Sequence, residues 1–177
     1  MTLVGQVSAA LGAQGIAHAM IGAAALAVHG VTRSTADIDL LVVDARGLDG
    51  TTWRFVAATG ARIDVRRGDA ADPLAGVVRV TAPGEPTVDV IVGRTSWQAD
   101  VIARGTPATV AGATIRVVTP ADLVLLKLYA GGPQDAWDID QLLDVAPGLG
   151  GEVEAVLPVL PSECATLWRR IVGARTP

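Results

Sequence analysis

The sequence predicts a mixed α/β protein, with a β-sheet and flanking helices over residues 1–118 and a helical segment over 119–177 packed on that core. Three observations carry this. Short aliphatic runs rich in Val and Ile recur between turn residues up to Val118, as strands do. Segments with helical spacing of apolar residues alternate with them. At Thr119-Pro120-Ala121-Asp122 the pattern turns helical for good, through a Thr cap, a Pro at the first helical position and an acid in the first turn.

Taken in order, Leu3 to Ala13 has apolar positions at helical spacing and stops at Gly15. Ile16 to Ile21 reads as a short strand. Gly22 then leads into Ala23 to Val28, which favours helix strongly and is broken by His29-Gly30. After the polar turn Arg33-Ser34-Thr35, the segment Asp37 to Val43 reads as an aliphatic strand. A helix is expected around Thr52 to Ala58, then strands at Arg62 to Val65, Val77 to Val80 and Thr87 to Val92. The polar connection from Gly68 to Gly76 turns at Asp72-Pro73. Ser96 to Ala103 reads as helix, and two short strands follow, near Thr109 and over Ile115 to Val118. The helix opened at Thr119 runs to about Ala130 and stops at Gly131-Gly132-Pro133. Another spans Gln134 to about Val145, and one or two more complete the chain.

Composition excludes several classes. Half the 177 residues are hydrophobic, yet only six are aromatic, so the positive hydropathy reflects small aliphatic side chains. The longest apolar stretch, Ile16 to Val28, is interrupted by His18 and is too short to span a bilayer. No Lys or Arg precedes Arg33, so a charged signal-peptide start is missing. With Cys164 as the one cysteine there is neither an intrachain disulfide nor a thiolate metal cluster. A cytoplasmic protein without a membrane segment is the expectation. The net charge of −4 argues against generic nucleic-acid binding, although Arg62, Arg66, Arg67 and Arg79 form a candidate basic patch. Of the 14 basic residues only Lys127 is a lysine: either one Lys survived by chance, or it sits where a compact ammonium is specifically needed.

The chemistry-bearing residues are carboxylates. Asp37 and Asp39 lie two apart on a strand, so both side chains leave one face, roughly 6–7 Å apart. That spacing suits a grip on one or two hard divalent cations. The strand continues as Leu40-Leu41-Val42-Val43, so the pair opens a segment that becomes buried and requires compensation. Asp89 is the one charge inside Thr87-Val88-Asp89-Val90-Ile91-Val92. A lone Asp there is either an ion-pair partner for an Arg or a ligand. Asp64, between Arg62 and Arg66, reads as a surface salt bridge. His18 and His29 are placed for packing or turns and make no metal site.

The run from Ile21-Gly22-Ala23 through Val31-Thr32-Arg33-Ser34-Thr35-Ala36 to Asp37-Ile38-Asp39-Leu40-Leu41-Val42 resembles the first motif of the minimal nucleotidyltransferases of the DNA polymerase beta superfamily. It is closest to their abortive-infection and toxin–antitoxin branch. Asp89 matches the third acid of that family, and Leu126-Lys127-Leu128-Tyr129-Ala130-Gly131-Gly132-Pro133-Gln134-Asp135 with Asp138-Ile139 is similar to its downstream helical motif. The resemblance covers about residues 16 to 145. It implies a nucleotidyltransferase-like fold and transfer of a nucleoside monophosphate from an NTP to a hydroxyl of RNA, protein or a small molecule. It further implies Mg²⁺ or Mn²⁺ on the catalytic Asp37, Asp39 and Asp89, and nucleotide contacts from Gly22, Ala23, Arg33, Thr35, Lys127 and Asp135. A cognate toxin or antitoxin is the implied partner. Two positions depart from the pattern: Gly22-Ala23 replaces Gly-Gly or Gly-Ser, and Gly132 stands where the toxin branch often has a basic residue. They favour the alternative of a catalytically weak nucleotide- or partner-binding module on the same fold.

Lys127 follows Leu123 by four residues, which sets it on or beside the packed face of its helix. Such a Lys either snorkels outward or points into a cleft, and a nucleotide phosphate in that cleft is the expectation. Asp135 and Asp138 read alternatively as acids at a helix start, one favourable near the N-terminus and the other paired locally.

Overall fold

A computed structural model describes residues 1–33 and 37–175. The chain divides into two compact units, one formed by Met1–Ala25 with Ser34–Val118 and the other by Leu26–Arg33 with Thr119–Pro177. The segment from Leu26 to Arg33, read above as part of the sheet half, groups with the helices.

The first unit is built on a seven-stranded mixed sheet. Its strands are β1 (Ala19–Ile21), β2 (Asp37–Val42), β3 (Arg62–Arg67), β4 (Gly76–Thr81), β5 (Thr87–Val92), β6 (Thr106–Val110) and β7 (Ala113–Val117), in the spatial order β3-β4-β5-β2-β1-β7-β6. The β2–β5 and β1–β7 pairs are parallel, and the rest are antiparallel. Strands β3 and β6 are therefore the outer ones.

Alternation of side chains sorts the central strands into two faces. Ile38 and Leu40, Val78 and Val80, and Val88 and Val90 are all buried on one face. Asp37, Asp39, Arg79 and Asp89 leave from the other. Helix α1 (Leu3–Ala13) packs against β5 and β7 through Leu3, Val4, Val7 and Leu11, and α4 (Ser96–Arg104) against β2. A 3₁₀ turn, Ala45–Leu48, capped by the Asp44 side chain on the Arg46 N–H, precedes α3 (Arg54–Ala58). The buried Trp53 indole donates to the Gly47 carbonyl at 2.9 Å and ties these pieces together.

The second unit is helical: α5 (Pro120–Ala130), α6 (Pro133–Val145), α7 (Leu149–Val156) and α8 (Ser162–Gly173), with α5 touching the other three. The sequence-expected start of α5 is present, Thr119 accepting the Asp122 N–H at 3.2 Å. It ends at Gly131, whose φ of 69° is the left-handed turn that glycine adopts without a Cβ penalty. Helix α2 (Gly22–Val28) starts in the first unit and ends in the second. Among the described residues no helix is long and apolar enough to cross a membrane.

Candidate active site

The strand register gathers charge into one row across the sheet. Asp39 on β2 is paired with Asp89 on β5, Asp89 with Arg79 on β4, and Arg79 with Asp64 on β3. Paired residues in a sheet project from the same face, so these four side chains form a line, with Asp37 one step along on β2. Asp37 and Asp39 are partly exposed, whereas Asp89 is buried.

Arg79 engages Asp89 with both prongs, Nε donating to Oδ1 at 2.9 Å and Nη2 to Oδ2 at 2.7 Å. Such forked, charge-assisted geometry is the strongest that these two groups make. It raises the Arg79 guanidinium above its ordinary pKa, Asp89 first and Asp37 and Asp39 from further away. One guanidinium thus lies in the field of all three carboxylates. Of the two sequence readings of Asp89, the ion pair is realised in this conformation, and on the same face as Asp37 and Asp39. Among the described residues no three His, Cys, Asp or Glu side chains are gathered to hold a metal ion. Alternation on β4 already put Arg79 on this face; its pairing with Asp89 required the register.

On the other side of the row, Ile21 of β1 pairs with Asp39, and Gly22 follows immediately. Gly22 has φ 67°, and a Cβ added there would overlap the Asp39 carboxylate. The chain can therefore turn from β1 into α2 flush against Asp39 only with glycine. Gly22→Ala is expected to cost about 1–3 kcal/mol from the left-handed backbone alone, with displacement of Asp39 in addition. A melting curve checks it, and an unchanged midpoint would contradict the close approach. Ala23 next to it is buried.

Beyond Asp89 the same face opens into a cleft of about 460 Å³ lined by Arg66, Arg67, Asp72, Arg79, Asp89 and Ile91, among others. Two of the four arginines of the expected basic patch, Arg66 and Arg79, project here; Arg67 borders the cleft but turns its guanidinium to the Leu48 carbonyl at 2.9 Å.

In the helical unit a second ionic cluster forms. Lys127 Nζ donates to Asp138 at 2.5 Å and to Asp135 at 3.1 Å, and Arg33 donates to Asp138 at 2.7 Å. The Asp138 side chain is fully buried, Lys127 nearly so at 7% exposure, and Arg33 retains 33%. Asp135 also accepts the Gly132 N–H at 3.1 Å, closing the start of α6. Lys127 thus neither snorkels to solvent nor ends in an open cleft; Asp135 and Asp138 surround its ammonium. Thr35 lies outside the described residues. His18 bonds to Ser8 and to the Ile16 carbonyl, a packing role.

No protein-family model matches the chain, and no curated protein matches it. Solved structures do. The chain is similar to ANT(2″)-Ia in complex with adenylyl-2″-tobramycin, at 17% identity over 98% of this chain and 97% of that one, with a TM-score of 0.54. It is also similar to the candidate nucleotidyltransferase TM1012 from Thermotoga maritima, at 14% identity over 80% of this chain and 91% of that one, TM-score 0.54. A third is the lincosamide antibiotic adenylyltransferase LnuA with lincomycin bound, at 9% identity over 81% of this chain and 96% of that one, TM-score 0.51. At these identities what is shared is the fold, and that fold is nucleotidyltransferase-like.

Proposed function

We propose that the chain is a nucleotidyltransferase, moving a nucleoside monophosphate from an NTP to an acceptor hydroxyl. The observation that carries this reading is the carboxylate row: Asp37 and Asp39 on one face of β2, in register with Asp89, with the Gly22 backbone against Asp39. The fold shared with adenylyltransferases such as LnuA supports it. No protein nucleophile is needed, because the acceptor itself attacks phosphorus.

The donor set fits Mg²⁺ or Mn²⁺. Asp37 and Asp39 offer oxygen from one strand face, and Mg²⁺ is ordinarily held by one or two carboxylates together with substrate phosphates. A divalent ion bound there supplies charge stabilisation at the phosphoryl oxygens. Asp89 completes the acid set when it exchanges its Arg79 partner. The backbone at Gly22 and Ala23 lies beside Asp39, where the phosphates of the nucleotide are placed in this reading. Arg33 is partly exposed and so freer than Lys127 to meet a phosphate; Lys127 and Asp135 are paired with each other inside the helical unit.

The second reading keeps the fold and weakens the chemistry: a nucleotide- or partner-binding module. The forked Arg79–Asp89 pair favours it, since a neutralised third acid does not grip a cation. The toxin–antitoxin setting, with a cognate protein partner, is supported by the motif resemblance and belongs to either reading. One experiment separates them. Incubation with each labelled NTP and Mg²⁺ or Mn²⁺ is expected to release pyrophosphate and to label an acceptor or the chain itself. Nucleotide binding without pyrophosphate from any NTP would select the binding module.

A further inference from the structure

We propose that the cleft beside Asp89 is the acceptor subsite and that it takes a phosphate-bearing acceptor. This rests on the nucleotidyltransferase reading and names the class of its second substrate. The row has two flanks. On the flank beside Asp39 the Gly22 backbone lies close, and the nucleotide phosphates take that side in the reading above. The flank beside Asp89 opens into the 460 Å³ cleft, within the roughly 300–1,000 Å³ common for small-ligand sites. An acceptor that reaches the acids therefore comes from the Asp89 side.

The lining decides the charge of that acceptor. Arg66 and Arg79 offer guanidiniums to the cleft, that of Arg67 being held on the Leu48 carbonyl, and the cleft carboxylates are engaged: Asp89 by Arg79, and Asp72 by the Asp69 N–H at 2.8 Å. Arg66 uses only its Nε, on Asp64 at 3.3 Å, and among the described residues its terminal nitrogens have no partner. Arg79 spends Nε and Nη2 on Asp89 and keeps Nη1. Arg66 pairs with Val77 and Arg79 lies two residues further along β4, so the two arginines are diagonal neighbours on one face, roughly 7–8 Å apart at their roots. Two long side chains so placed can converge on a single phosphate. Val77 and Ile91 between them supply an apolar floor for a base or a sugar. A polyamine would meet N–H donors there and find no acceptor on either arginine.

In the reaction the acceptor hydroxyl oxygen attacks the α-phosphorus of the NTP. The new O–P bond forms as the bond to the bridging oxygen breaks, and pyrophosphate leaves with the electron pair. The hydroxyl proton passes to water. Arg66 touches the acceptor phosphate and not the reacting atoms.

The test has a binding arm and a turnover arm. A ribonucleoside 5′-monophosphate and a 5′-phosphorylated ribotrinucleotide represent small and polymeric acceptors; the matching nucleoside and an aminoglycoside are controls. Without any NTP, calorimetry should show that the two phosphorylated probes bind and the controls do not. Arg66→Gln should weaken that binding about 10- to 100-fold, while Arg54→Gln, on exposed α3, leaves it unchanged. With NTP and Mg²⁺, Arg66→Gln should raise the acceptor KM by the same factor and change kcat little. Which phosphorylated probe is labelled distinguishes a small acceptor from a nucleic-acid end. Equal binding of the nucleoside, preference for the aminoglycoside, or indifference to Arg66→Gln overturns the proposal. Intact phosphate-selective binding with no pyrophosphate release from any NTP overturns the enzyme reading instead.

Discussion

Asp39→Asn is expected to lower nucleotidyl transfer by on the order of 10³-fold while the chain stays folded. Asn keeps the shape of the side chain and removes the charge, so the flush contact with Gly22 survives and the grip on a cation does not. The same substitution relieves repulsion among Asp37, Asp39 and Asp89, so the melting point without metal should hold or rise. Wild-type protein should gain about 2.7 kcal/mol from Mg²⁺ and NTP at a hundredfold over their dissociation constant, several degrees in a domain of this size. Asp39→Asn should lose that gain. Pyrophosphate release and melting curves in millimolar Mg²⁺ read both effects, and a variant retaining a tenth of the activity would remove Asp39 from the chemistry.

The largest expected loss of stability lies in the helical unit. Asp138 is fully buried between Lys127 and Arg33. Removing it leaves the nearly buried ammonium with Asp135 alone, and breaking a buried pair from one side typically costs about 3–5 kcal/mol. For Asp138→Ala this corresponds to a fall in melting temperature of about 10 °C. Removing both charges should restore much of it, so Asp138→Ala with Lys127→Met should melt above Asp138→Ala alone. If the double substitution is as unstable as the sum of the singles, the cluster is not coupled as the distances require.

The strands and helices were legible because their signals are local. Thr119-Pro120 marks the start of α5 by itself, and Thr87 to Val92 needed only its own residues to read as a strand. The 3₁₀ turn over Ala45–Leu48 escaped notice because four residues carry no period. Ile16 to Ile21 shortened to Ala19–Ile21, since Ile16 is taken up by a backbone bond to Leu11 at the end of α1. The grouping of Leu26 to Arg33 with the helices depends on contacts far along the chain, such as the Arg33–Asp138 bond across 105 positions. The carboxylates were visible as a pattern, but which Arg would meet Asp89 follows from the β4–β5 register, and registers are pairwise facts. For Lys127 the sequence placed the residue beside the packed face, and gave Asp135 and Asp138 as parts of one helical motif or as acids at a helix start. That those acids enclose the ammonium was a matter of three side chains converging.

The outer strands of the sheet have a consequence for association. An edge strand exposes unpaired backbone groups that invite a second copy to add on. Here β3 carries Arg62, Asp64, Arg66 and Arg67 in six residues, so stacking two copies edge to edge would set like charges against each other in most registers. On the far side, β6 includes Pro107, which offers no N–H to a newcomer. Both rims are thus defended, one by charge and one by a missing donor. Neutralising β3 should therefore reveal itself first as concentration-dependent turbidity, before any loss of fold.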